Sequence, residues 1–172
     1  MRLVILLALC AGCERAASAG GGGTGRLQVV VTRLERDTVR FEAEAAASPC
    51  KAGPSGRAGG ALLLQGVAQG NGMLVWLRFD DSLAPGEYGP LSRGDTAAPR
   101  GAIVATRYTI GGVAHGFVLD SGALVLERAG SRLTGRVAGG GVELGGVGRT
   151  RLDARFERVP HESDSVMCEA EL

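Results

Sequence analysis

The chain has 172 residues, enough for one ordinary domain and little else. Its 19 basic and 18 acidic residues leave a formal charge of +1, which offers no electrostatic footprint for nucleic acid. The 45% hydrophobic content argues against disorder throughout, the 29 glycines follow no three-residue period, which excludes collagen, and 4% aromatic residues leave little for stacking platforms.

The N-terminus reads first as a targeting segment. Arg2 is followed by an unbroken apolar run over 3–9. As a helix that run spans about 10 Å at ~1.5 Å per residue, whereas a bilayer core needs about 20 residues. It is therefore too short to cross a membrane. The next residues, Leu9-Cys10-Ala11-Gly12-Cys13, resemble the lipobox of bacterial lipoprotein precursors. Ala11 and Gly12 match its small residues and Cys13 its modified cysteine. Cys10 stands where the pattern usually has Leu, and Leu9 sits one place early. The resemblance implies cleavage before Cys13, lipid on its sulfur, and anchoring to the cell membrane. Glu14 is not the Asp that marks inner-membrane retention in some such lipoproteins, so the outer membrane is favoured if the cell has one. An ordinary secretory signal cut near 17–19 is the alternative, and both readings place the domain outside the cytoplasm.

Cys10 and Cys13 also form a C-x-x-C, but it straddles the expected cleavage point and cannot be a redox or zinc site. Residues 14–25, ERAASAGGGGTG, form a Gly-rich tether. Its r.m.s. reach is roughly 20 Å, from ~5–6 Å times the square root of the length. Its G-x-G-x-x-G lacks the preceding strand and following helix that a dinucleotide site requires.

From Arg26 the period is two. Leu27, Val29 and Val31 alternate with Gln28, Val30 and Thr32 over 26–33, and Val39, Phe41, Ala43 and Ala45 alternate with Arg40, Glu42 and Glu44. Such alternation describes strands with one wet face. A hairpin is expected with strands over 61–69 and 73–79 around Gly70-Asn71-Gly72, because Asn-Gly supplies positive φ. Further strands are expected over 102–110, 113–119, 123–128, 132–138 and 149–158, with a last short one over 166–172. Gly111-Gly112, Asp120-Ser121-Gly122, Ala129-Gly130-Ser131 and a longer stretch over 139–148 read as their connections. All six prolines fall between these runs, as the missing N–H demands. The expected fold is all-β, an antiparallel β-sandwich or small closed barrel with the C-terminal half a meander. The expected organisation is a signal peptide over 1–12, lipidated Cys13 with its tether over 13–25, and a single β domain over 26–172. The arrangement is similar to β-rich bacterial envelope lipoproteins of uncharacterised function.

After Cys13 only Cys50 and Cys168 remain, and an even pair in an exported chain is expected to form a disulfide. The catalytic inventory is thin. His115 and His161 lie in no metal-binding spacing, and His115 reads as a residue on the solvated face of its strand. Ser121 and Asp120 read as a turn and not as part of a triad with His115. Lys51, the only lysine, has no phosphate loop before it. Asp80, Asp81 and Glu87 lack EF-hand spacing. Arg149, Arg151 and Arg155 alternate along one strand, which reads as a solvated face, with anion or glycan binding as the other possibility. No cofactor and no metal are expected.

The function these residues suggest is an exported, lipid-anchored binding or interaction module at the cell envelope, not an enzyme. Its partners would be the membrane, through the N-terminal lipid, and an envelope protein or small ligand. A structural or accessory envelope lipoprotein is the alternative, and an envelope hydrolase a third. For ligand contact the first places to look are the 80–91 loop with Trp76, Tyr88 and Tyr108. Aromatics of this kind combine apolar area with a polar handle, and core packing is the competing reading for each.

Overall fold

A computed structural model describes residues 24–33, 37–51, 60–92, 94–95, 97–145 and 148–168. Ten strands are described: β1 (Gly25–Arg33), β2 (Thr38–Pro49), β3 (Gly60–Ala68), β4 (Asn71–Phe79), β5 (Gly86–Tyr88), β6 (Gly101–Ile110), β7 (Val113–Val118), β8 (Ser121–Arg128), β9 (Arg132–Val142) and β10 (Arg149–Pro160). All belong to one sheet in the order β5-β8-β9-β10-β1-β2-β3-β4-β6-β7, with every named pairing antiparallel.

The sheet curls strongly, and its two ends are tacked together. Beyond β5, Ala102 N donates to Gly89 O and Leu91 N to Ala102 O, both at 2.8 Å, which joins that end to β6. Beyond β9, Leu144 N donates to Gly116 O at 2.7 Å, and Phe117 bridges to Glu143. The result is barrel-like. Strand β2 makes one corner: Ala45 pairs with Gly25 on one side and Gly66 on the other. Its inward residues there are Ala43, Ala45 and Ala47, all buried, and their small size lets the sheet bend tightly over the core.

The core follows the alternation, which the sequence shows for β1, β2 and β4 and which β3 and β10 share. Leu27, Val29, Val31, Leu62, Leu64, Met73, Val75, Leu77, Leu152 and Phe156 all face inward and are at most 2% exposed. Burying each such side chain contributes about 1.5–3 kcal/mol. In β10 the register shifts between Phe156 and Val159, a bulge that lets both face inward despite their odd spacing. A second, smaller apolar cluster lies on the outer face of β3, β4 and β6. It holds Trp76, Leu91 and Ile103, flanked by Leu74, Ala98, Cys50 and Cys168.

The C-terminal meander comes in two parts, β6–β7 and β8–β9–β10, because β7 and β8 stand at different places in the strand order. The chain crosses between them at Leu119 and Asp120. Leu119 N donates to Val104 O, and Asp120 N to Gly140 O. Gly139 and Gly141 admit this crossing. A Cβ on Gly139 would overlap the Ser121 carbonyl oxygen, and one on Gly141 would overlap that of Val118.

Several expected boundaries move, and β8 already begins at Ser121, where a turn was expected. The hairpin turn falls on Gln69 and Gly70, with φ of 51° and 80°, while Asn71 begins β4 and its Oδ1 accepts the Thr109 amide. The 139–148 stretch is in part strand, since β9 runs to Val142. The last short strand reduces, among the described residues, to a bridge between Val166 and Cys50.

Candidate functional site

Cys50 and Cys168 are bonded as a disulfide, with Cα atoms 5.3 Å apart. It closes a separation of 118 residues. The C-terminal segment is further held by Val166 N donating to Pro49 O and Lys51 N to Val166 O. Cys13 lies outside the described residues.

The three aromatics expected at a ligand surface are buried, Tyr88 and Tyr108 in the main core and Trp76 in the outer-face cluster. Tyr88 is 1% exposed and Tyr108 is fully buried. The 80–91 loop is not a free loop, because β5 pairs with Leu124–Leu126 and carries Tyr88 into the core. Its hydroxyl donates to Ala84 O at 2.7 Å, and Arg100 stacks on the ring at 4.0 Å. Trp76 alternates with Val75 and Leu77 and so faces outward, yet is 9% exposed because Leu91 and the disulfide segment cover it. Among the described residues its Nε1 has no hydrogen-bond partner.

His115 departs from its expected solvated position. It pairs with Tyr108 across β6–β7, faces inward, and stacks on that ring at 5.6 Å. Its Nδ1 lies 2.9 Å from Glu143 Oε1. The same oxygen accepts the Tyr108 hydroxyl at 2.8 Å, and Oε2 accepts Arg33 Nη2 at 3.0 Å. The Glu143 side chain is 5% exposed. Burial alone would push its carboxyl up, but the Tyr108 hydrogen bond, the charges of Arg33 and His115, and the Arg33 hydrogen bond together hold it below the usual carboxylate range. Burial pushes the Tyr108 phenol up, opposed by a hydrogen bond with Thr150 and reinforced by Glu143. The cluster therefore joins β1, β6, β7 and the end of β9 where the curled sheet meets itself. Sequence reasoning missed Glu143 because it lies in a glycine-rich stretch. The signal was its parity: Leu133, Val137 and Glu143 fall on the same side of one continuous strand pattern.

Chemically the cluster has an acid–base pair, but every group in it is committed to another. Among the described residues no three His, Cys, Asp or Glu side chains gather to hold a metal.

Among the described residues, the outer face carries an open polar cleft and an open apolar one. One, of about 580 Å³, is lined by Ser121, Ala138, Gly140, Arg149, Arg151 and Asp153. There Arg149 donates to both oxygens of Asp120, at 2.5 and 3.3 Å, and to Ser121 Oγ at 3.0 Å. The Arg149 hydrogen bond holds the Asp120 carboxyl below its usual range. Arg149 is thus paired with an acid, and the cleft carries a further carboxylate on Asp153. The other cleft, of about 570 Å³, is apolar. Val67, Leu74, Ala105, Val118 and Leu144 line it, with Arg107 among them. Val67 and Leu144 are each 70% exposed and Val118 38%, an unusual concentration of large apolar side chains in water.

The chain matches no protein-family model, no curated protein and no solved structure.

Proposed function

We propose that the chain is an exported lipoprotein, anchored by lipid on Cys13, whose β domain acts by binding at the cell envelope and not by catalysis. The observation that carries the binding role is the open apolar groove of Val67, Leu74, Val118 and Leu144. Its volume falls within the ~300–1,000 Å³ of small-molecule sites, while the interior is filled by side chains such as Tyr108, Phe117 and Phe156. The disulfide supports an oxidising compartment. The hydrolase alternative would rest on His115 and Glu143, and these are held by Tyr108 and Arg33 inside the seam. Two or more acyl chains would hold the domain firmly, since each buried CH₂ contributes about 0.8 kcal/mol.

The test is fractionation of cells expressing the full chain or its Cys13→Ser variant, with mass spectrometry of the N-terminal peptide. The wild type is expected in the membrane with an acylated Cys13 as first residue, and the variant in the soluble fraction. An unmodified N-terminus beginning after Ala19 would refute the anchor.

A further inference from the structure

We infer that the apolar groove is a binding site for a single amphiphilic carboxylate, a medium- or long-chain fatty acid, with Arg107 holding its head; this rests on the binding role proposed above. The register across β3, β4, β6 and β7 builds the site in two rows. In the first, Leu74 pairs with Ala105, and Ala105 with Val118. A small floor residue thus stands between two taller apolar walls. In the second, Val67 pairs with Gly72, Gly72 with Arg107, and Arg107 with Gly116, and the Gly116 carbonyl accepts the Leu144 amide. The guanidinium stem of Arg107 therefore rises between two glycines, with Val67 and Leu144 beyond them on either side.

The consequence is a largely apolar hollow, with Gln65, Asn71, Thr106 and His115 also on its lining, in which Arg107 is the exposed guanidinium and His115 is engaged by Glu143. Arg107 is exposed and, among the described residues, has no hydrogen-bond or ion-pair partner. A guanidinium without an anion beside it recognises carboxylate through its planar fork. From β3 to the segment at Leu144 the hollow crosses four strand spacings, about 19 Å at ~4.8 Å each. That is room for a slender chain.

The other occupants fit less well. A second copy related by a two-fold axis through the hollow would set Arg107 against its own counterpart. A stable dimer also needs a patch of about 800 Å² per partner, well beyond a groove of ligand size. A flat bilayer surface would ride on Val67 and Leu144 and leave the glycine-floored centre unfilled.

The experiment titrates [1-¹³C]dodecanoate, and separately dodecan-1-ol, into the ¹⁵N-labelled full chain carrying Cys13→Ser, which has no acyl chain of its own. Saturable binding of dodecanoate is expected, with amide shifts at Leu74, Ala105, Arg107, Gly116 and Val118. Dodecan-1-ol should bind at least tenfold more weakly. Arg107→Gln should weaken dodecanoate binding tenfold or more and leave that of the alcohol within twofold. Val118→Asp should abolish binding of both while keeping the dispersed amide spectrum of the wild type. Equal affinity for acid and alcohol, shifts that map elsewhere, or absence of saturation would overturn the inference. So would phosphatidylglycerol vesicles that perturb the groove amides when dodecanoate does not, since that pattern reports a bilayer contact. Failure with dodecanoate alone leaves the binding role itself standing, because that role is read separately by footprinting in the native envelope.

Discussion

Replacing Glu143 with glutamine probes the seam at its centre. The substituted side chain would keep the shape of the original and one oxygen, which can accept from Tyr108 or from Arg33 but not from both, and it would lose the charge and turn an N–H toward the other donor. Hydrogen bonds to a charged group contribute about 1.5–3 kcal/mol, and breaking a buried charge pair costs about 3–5 kcal/mol. Arg33 and His115 are 23% and 20% exposed, so water recovers part of the loss, and the expected cost is about 3 kcal/mol. With an m-value of about 2 kcal/mol/M for a domain of this size, the urea midpoint should fall by roughly 1–2 M at pH 7. The pH dependence has a definite sign. The folded carboxyl titrates below its ordinary range, so its contribution is fully present above the unfolded pKa of about 4.3. That contribution is lost as pH falls through the lower folded value. The gap between wild type and Glu143→Gln should therefore close in acid. A midpoint shift below about 0.3 M, or a gap that persists unchanged on acidification, would refute the reasoning.

Three further outcomes follow from packing. Removing the disulfide with Cys50→Ser and Cys168→Ser together should cost about 2–4 kcal/mol, the usual range for such a loop, and lower the Tm by roughly 6–12 °C; a scanning calorimetry trace within about 2 °C of wild type would contradict this. Gly139→Val should destabilise by more than about 3 kcal/mol through overpacking against Ser121 and Leu119, whereas Gly130→Ala, where a Cβ meets nothing within 4 Å, should be near neutral in the same denaturation assay. Thr106 is 4% exposed and its Oγ1 has no partner among the described residues, so Thr106→Val should stabilise by about 1 kcal/mol, read as a Tm rise of a few degrees; a fall would mean that the hydroxyl is satisfied in solution.

Alternation along a strand tells which side of the sheet a residue faces, and this much was legible. Val39, Phe41, Ala43 and Ala45 in β2, and Met73, Val75 and Leu77 in β4, lie on the inner side as their spacing requires. Neighbour identity was not legible, because the same alternation suits any antiparallel partner. The separation of β7 from β8 depends on Gly139 and Gly141 letting backbone pass close by, which composition alone does not distinguish from turn glycines. Strand β5 has three residues, too few for a period. Trp76 shows the remaining difficulty: its outward parity was readable, but its burial arises from Leu91 and the Cys168 segment, both distant in sequence. His115 shares parity with Phe117, and that was the available sign that it faces the core beside Tyr108. The groove required the whole register, since Gly72, Arg107 and Gly116 come together only when β4, β6 and β7 are aligned.

The most direct test of the binding role is carbene footprinting of the full-length wild-type chain in isolated native envelopes, compared with the same protein purified and delipidated. The account predicts protection in the envelope confined to Val67, Leu74, the 105–107 segment, the 116–118 segment and Leu144, with the polar cleft of Arg149, Arg151 and Asp153 labelled equally in both. Protection centred on that polar cleft, or equal labelling of the groove in both preparations, would contradict it.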